Sequence, residues 1–107
     1  MVTYGFDYSE QKDLILRETR GVGFTEVIEA VKNRNILDDL EHTNKRKYPN
    51  QRLLIVEIKR YAYVAPYVID KKGKKKFLKT VYPSRDMTKK YMKGKKKMAA
   101  LLEKETK

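Results

Sequence analysis

Histidine occurs once in this chain of 107 residues, at His42, and imidazole is the side chain whose ordinary pKa lets it pass a proton near neutrality. Two arginines are placed to hold an anion such as a phosphate. Arg85 stands where a strand gives way to a helix, so free backbone N–H groups can share the anion with its guanidinium. Arg52 opens a strand on its buried-face side. A salt bridge is the ordinary alternative for either. Tyr48, Tyr63, Tyr67 and Tyr91 can stack on a base or, with lysines beside them, share in proton transfer, although core packing is the ordinary use of any one tyrosine. Tyr91 follows Lys89-Lys90, Lys47 precedes Tyr48, and Lys79 is expected on the same sheet face as Tyr63. Arg85, Arg52, His42 and Tyr91 are therefore the candidates for chemistry. Lys47, Tyr48, Tyr63, Lys79, Lys89 and Lys90 are the candidates for binding a polyanion. No metal or other cofactor is expected. Cysteine is absent, and Glu57, Asp70 and Asp86 are scattered over strand, turn and helix positions with no His or Cys at ligand spacing.

The elements that must position these residues are read from periodicity. A first helix is expected from Asp7, as cap, to about Arg20, with Glu10 at the capping-box position and its apolar residues Leu14, Ile15 and Leu16 bunched. Gly21 and Gly23 supply the freedom for a reversal. Phe24, Val27, Ile28 and Val31 then form a complete helical stripe, with Glu26 in the first turn. Ile36 to His42 is a short strand, and 43–51 a polar connection. Leu54, Val56 and Ile58 alternate with Ile55, Glu57 and Lys59, the pattern of a strand with one buried face. Tyr61 to Ile69 follows, where Pro66 should mark a bulge or an unpaired backbone position. A turn at Asp70-Lys71-Lys72-Gly73 leads to a fourth strand, Lys76 to Tyr82. Ser84 can cap a third helix from Arg85. Its stripe of Met87, Tyr91, Gly94, Met98 and Leu101 can run into the last turn of the chain, or the helix can end near Met92 before a loose lysine-rich tail.

The expected architecture is α+β: two N-terminal helices, a four-stranded antiparallel meander and a C-terminal helix. It reads as one domain over 1–107, with a helical segment at 1–35, the sheet at 36–82 and the closing helix and tail at 84–107. Charge divides along the same line. Met1 to Asn44 carries 5 Lys and Arg against 9 Asp and Glu, net −4, whereas Lys45 to Lys107 carries 21 against 5, net +16. Such an excess attracts nucleic acid, and would equally suit an anionic membrane surface or an acidic protein. The lack of cysteine fits a reducing compartment. No apolar run approaches the ~18 residues of a membrane span, and the N-terminus lacks the layout of a signal peptide, so a cytoplasmic protein with no membrane partner is expected.

Three segments carry a resemblance. Phe6-Asp7-Tyr8-Ser9, Arg20-Gly21-Val22-Gly23-Phe24-Thr25-Glu26 and Val81-Tyr82-Pro83-Ser84-Arg85-Asp86-Met87-Thr88-Lys89-Lys90-Tyr91 resemble the corresponding stretches of BrnT-type toxins, in the RelE/ParE-like group of bacterial type II toxin–antitoxin systems. The likeness covers about residues 4–92. The family's aromatic-Asp-Pro opening and His-Gly-Val-Ser-Phe stand here as Tyr8-Ser9 and Arg-Gly-Val-Gly-Phe. The resemblance implies a RelE/ParE-like fold and a metal-independent endoribonuclease that inhibits translation. It also implies an antitoxin partner with a ribbon-helix-helix DNA-binding region. RNA can be cut without a metal when its own 2′-hydroxyl attacks the adjacent phosphate, a reaction that needs proton transfer and charge neutralisation at phosphorus. Arg52, Arg85 and Lys90 suit the phosphate, and His42 or a tyrosine suits the proton. The competing reading is a non-catalytic basic module that binds nucleic acid, or a toxin of the gyrase type that acts through protein contact.

Overall fold

In the computed structural model, which describes residues 5–70 and 75–92, the first helix is capped by Ser9 and not by Asp7. Ser9 Oγ accepts the Lys12 N–H at 3.2 Å, and α1 runs over Glu10–Arg20. It stops at Gly21, whose φ of 72° lets the chain turn and its N–H bond Arg17 O at 3.0 Å. Leu16 is buried, while Leu14 and Ile15 are 58% and 54% exposed, so the bunched apolar residues do not share one face. The second helix, α2 (Phe24–Lys32), buries Phe24, Val27, Ile28 and Ala30. Its start is capped from α1. Asp13 accepts the Phe24 N–H at 2.6 Å, Glu26 accepts the Gly23 N–H at 2.9 Å, and Arg17 bridges the two carboxylates at 2.9 and 3.2 Å. Gly23 is required there for room: a Cβ would fall on the Asp13 carboxylate.

The sheet is mixed, which corrects the expected four-stranded antiparallel meander. Its strands are β1 (Phe6–Asp7), β2 (Ile36–Glu41), β3 (Gln51–Ile58), β4 (Tyr61–Asp70), β5 (Lys75–Leu78) and β6 (Tyr82–Pro83). The order is β1-β5-β4-β3-β2, with β6 also on β4. The meander from β2 to β5 is antiparallel, but β1 adds a parallel edge to β5. Phe6 drives that addition: it is 5% exposed and meets Tyr67 edge-on, with ring centroids 6.0 Å apart. The expected fourth strand is split in two because of Pro66. Pro66 O accepts the Lys79 N–H at 2.8 Å, and the missing Pro66 N–H faces the same gap, since both groups of a strand residue point to one neighbour. Val81 O, inside the gap, is satisfied by Arg20 Nη1 at 2.6 Å. The proline thus sits at an interruption, as its type requires. The proposed turn residues 71–73 lie outside the described residues.

Both faces of β3 are buried, where one was expected. Leu54, Val56 and Ile58 meet α1 and α2, while Leu53 and Ile55 pack with Ala62, Val64 and Met92 on the other face. A third helix, α3, occupies 85–92 and covers that second face. Ser84 caps it, accepting the Met87 N–H at 3.2 Å. Ser84 N–H also donates to Ala62 O, and Thr88 Oγ1 accepts the Ala62 N–H, both at 2.9 Å, so the helix is stitched to β4. The stripe beyond Met92 lies outside the described residues. No helix among those described is long and apolar enough to cross a membrane.

Candidate functional site

The β2–β3 connection at 42–50 is built by its own polar groups. His42 N–H extends the ladder to Gln51 O at 3.1 Å, Asn44 Oδ1 accepts the Lys47 N–H at 3.1 Å, and Asn44 O accepts the Tyr48 N–H at 3.0 Å. These bonds fold the loop back so that Tyr48 lies on His42, ring centroids 4.4 Å apart and planes tilted by 37°. The Asn44 N–H donates to His42 Nδ1 at 3.0 Å. With Nδ1 accepting, Nε2 is the ring nitrogen left to donate.

Beside this pair is a cleft of about 310 Å³ whose lining includes Glu41, His42, Lys45, Tyr48, Arg52 and Ile69. Arg52 is held by Asp39, with Nε 3.1 Å from Oδ1 and Nη2 3.1 Å from the Asp39 carbonyl. The Tyr67 hydroxyl also bonds the guanidinium. The hydrogen bond to Asp39 raises the Arg52 pKa further, so the guanidinium is permanently charged. Asp39 is held in turn by the Tyr67 hydroxyl, which donates across its two oxygens at 2.9 and 2.8 Å. Burial first, and that bond second, push the Tyr67 hydroxyl up to about 12. Lys45 reaches Glu41 at 2.7 Å and keeps its carboxyl below the usual range, hence ionised in the cleft.

The expected residues do not all meet in one place. His42, Tyr48 and Arg52 come together at one end of the sheet. Lys47 stands by, its ammonium 5.5 Å from the Tyr48 ring. Lys79 is at the same end but on the other face: its neighbour in the ring contact, Phe77, pairs with Val68, one position out of phase with Tyr67 and Tyr63. The expected common face of Lys79 and Tyr63 is therefore corrected. Tyr63 shares the Arg52 face but lies four residues along β4 from Tyr67, against Tyr61 at 6.2 Å. Arg85 is at the opposite end of the sheet, one residue past the Ser84–Ala62 bond. Ala62 and Tyr67 are five positions apart, or about 17 Å of strand. Arg85 is exposed and makes no ion pair with another described residue. Tyr91 is on the far face, donating to Asp38 at 2.5 Å, with the Lys90 ammonium 5.2 Å from its ring. That bond lowers the Asp38 pKa and raises that of Tyr91. Lys89 is exposed on the same helix.

No protein-family model, curated protein or solved structure matches this chain.

The arrangement's chemistry must therefore be read from its groups. Two cationic side chains, one ring N–H donor, one ionised carboxylate and one aromatic face line a single cleft. Such a set can hold a phosphate, stack a base and accept a proton. Among the described residues, no group of three or more His, Cys, Asp or Glu side chains could hold a metal ion. Glu41 and Asp39 are the members that the sequence reading left out, and Tyr67, expected to stack on a base or share in proton transfer, holds Asp39 instead. Asp39 follows Asp38 on a short mixed strand, and only the pairing of Asp39 with Leu54 shows that it faces Arg52.

Proposed function

We propose that the protein is an RNA-cleaving toxin of the BrnT/RelE-like kind, acting without a metal and held in check by a cognate antitoxin with a ribbon-helix-helix region. The observation that carries this reading is the His42–Tyr48 ring pair beside Arg52 and Glu41 in one cleft, where the acidic and basic halves of the chain meet. In this reading the Arg52 guanidinium takes a phosphoryl oxygen and Tyr48 stacks the base. The 2′-oxygen forms a bond to phosphorus as its proton passes to the Glu41 carboxylate, and the bond from phosphorus to the 5′-oxygen breaks. The departing oxygen takes its proton from His42. For that the ring must carry a second proton, at Nδ1, which displaces the Asn44 N–H. The likeness at 6–9, 20–26 and 81–91 supports the toxin assignment: these segments form β1 with the α1 cap, the α1–α2 corner, and the β6–α3 junction.

Purified protein incubated with single-stranded or ribosome-bound RNA and a chelator should cut it to 2′,3′-cyclic phosphate ends, and His42→Ala should not. Intact RNA in both settings would sink the reading. The occupied Nδ1 favours one alternative, a module that holds RNA without cutting it or that acts through protein contact. That alternative gains if the wild type retains RNA unchanged and Arg52→Ala releases it.

A further inference from the structure

A second cleft, of about 390 Å³, backs onto the first. Tyr48, Pro49, Asn50 and Gln51 line both, so the loop is a rim with a cavity on either side. The register places the two cavities on opposite faces of the sheet. Arg52 pairs with Tyr67 and faces α1 and α2, whereas Gln51 pairs with Val68 and faces the α3 side. Among the described residues the second cleft is lined further by Lys47, Val68 and Lys79 and by no acid. Two cations thus stand in a cleft walled by Tyr48, Pro49 and Val68, with the Lys47 ammonium 5.5 Å from the Tyr48 ring. That chemistry fits a phosphate with a flat or sugar body attached, which is the next nucleotide of a strand already held in the first cleft.

From this we infer that the site takes RNA as a single strand led over the 48–51 rim, with the Lys47–Lys79 cleft as a subsite for a flanking nucleotide. The inference rests on the RNA reading above. A paired A-form helix is too stiff and too wide to turn from one face of a sheet to the other around its end, whereas a single strand, rotating freely about its backbone bonds, can. The subsite therefore selects both for strandedness and for length.

The test is fluorescence anisotropy with 2′-O-methyl RNA, which binds without being cut. A dinucleotide, an octanucleotide and the octanucleotide annealed to its complement are compared on wild type and on Lys47→Ala/Lys79→Ala, with circular dichroism as the check on folding. Wild type should prefer the single-stranded octamer. The double variant should lose about tenfold for the octamer and nothing for the dinucleotide, and its dependence of log affinity on log salt should flatten by about 1.4, the share of two phosphate contacts on a single strand. Equal binding of the duplex, or equal weakening of dinucleotide and octamer, overturns the subsite while leaving RNA binding intact. No binding of any RNA by wild type at low salt overturns both, and so tells the two failures apart.

Discussion

Replacing Tyr67 by Phe removes one oxygen atom and with it the donor that fixes Asp39. The ring is 2% exposed and fills the same volume without its hydroxyl, so no cavity forms. What is lost is a hydrogen bond to a carboxylate, in a class worth about 1.5–3 kcal/mol. The Asp39 side chain is 39% exposed, so water takes up part of the loss, and the lower end applies: about 1.5 kcal/mol, or about 8 °C in Tm for a domain of this size. A second signature is alkaline. The Tyr67 hydroxyl is raised from 10.0 to about 12, so the folded state holds this proton more tightly than the unfolded chain. Its stabilisation is complete below pH 10 and disappears as pH rises through 10 to 12, on the order of 3 kcal/mol in all. Urea unfolding at a series of pH values should therefore show wild-type stability falling over that window, with a shallower fall for Tyr67→Phe. Absorbance at 295 nm should lose a tyrosine titration near pH 12. A variant as stable as wild type at pH 7, with a superimposable alkaline limb, would refute the Tyr67–Asp39 account. Because Asp39 holds Arg52, the same variant should weaken RNA binding less than Arg52→Ala does.

Three further outcomes follow from particular contacts. Lys59 and Arg60, with φ of 52° and 63°, form a two-residue hairpin turn in a left-handed conformation that Asn-Gly adopts more easily. Lys59→Asn/Arg60→Gly should therefore raise stability by about 1 kcal/mol in urea; a loss would mean that the turn is held by its side chains. Gly23→Ala should push the Asp13 carboxylate off the Phe24 N–H and cost about 1 kcal/mol, the worth of a helix cap. Combined with Asp13→Ala it should add little, and full additivity would show that the two changes act apart. The Asp38 pKa is lowered by the Tyr91 hydroxyl, so its contribution is present above the ordinary carboxylate pKa and lost as pH falls through the lowered value. Asp38→Asn should flatten that acid limb, read by near-ultraviolet circular dichroism of Tyr91, and an unchanged limb would refute the link.

The helical half was legible because its signals are local. The stripe of α2 and the Ser84 cap each need only a few adjacent residues, and both stand where the pattern put them. The sheet was legible in its antiparallel run and not at its margins. Two residues have no period, so nothing marked Phe6-Asp7 as β1, and the split of the fourth strand depends on Pro66 across the ladder. Leu53 to Val56 is a continuous apolar run, the mark of a strand buried on both faces, and the alternation of Leu54, Val56 and Ile58 concealed it. At the site, His42, Tyr48 and Arg52 could be named singly from their chemistry. Their meeting depends on a loop folded by Asn44, and the supporting Asp39 and Tyr67 depend on register, which a single sequence does not print.

Asp38 and Asp39 are neighbours on an edge strand and face opposite sides, one bound to Tyr91 under α3 and the other to Tyr67 and Arg52. Edge strands slip easily, and a slip by one residue turns every side chain over. Here a slip by one residue would set one aspartate in the other's place, leave the second hydroxyl facing a leucine, and turn Leu40 out of its cluster. The acidic pair thus acts as a two-sided index that is satisfied on both faces in one alignment. The bulge between Ile36 and Asp38 sets where that index falls. Whatever fastens α3 to its face of the sheet thereby also fixes the position from which Arg52 reaches into the cleft.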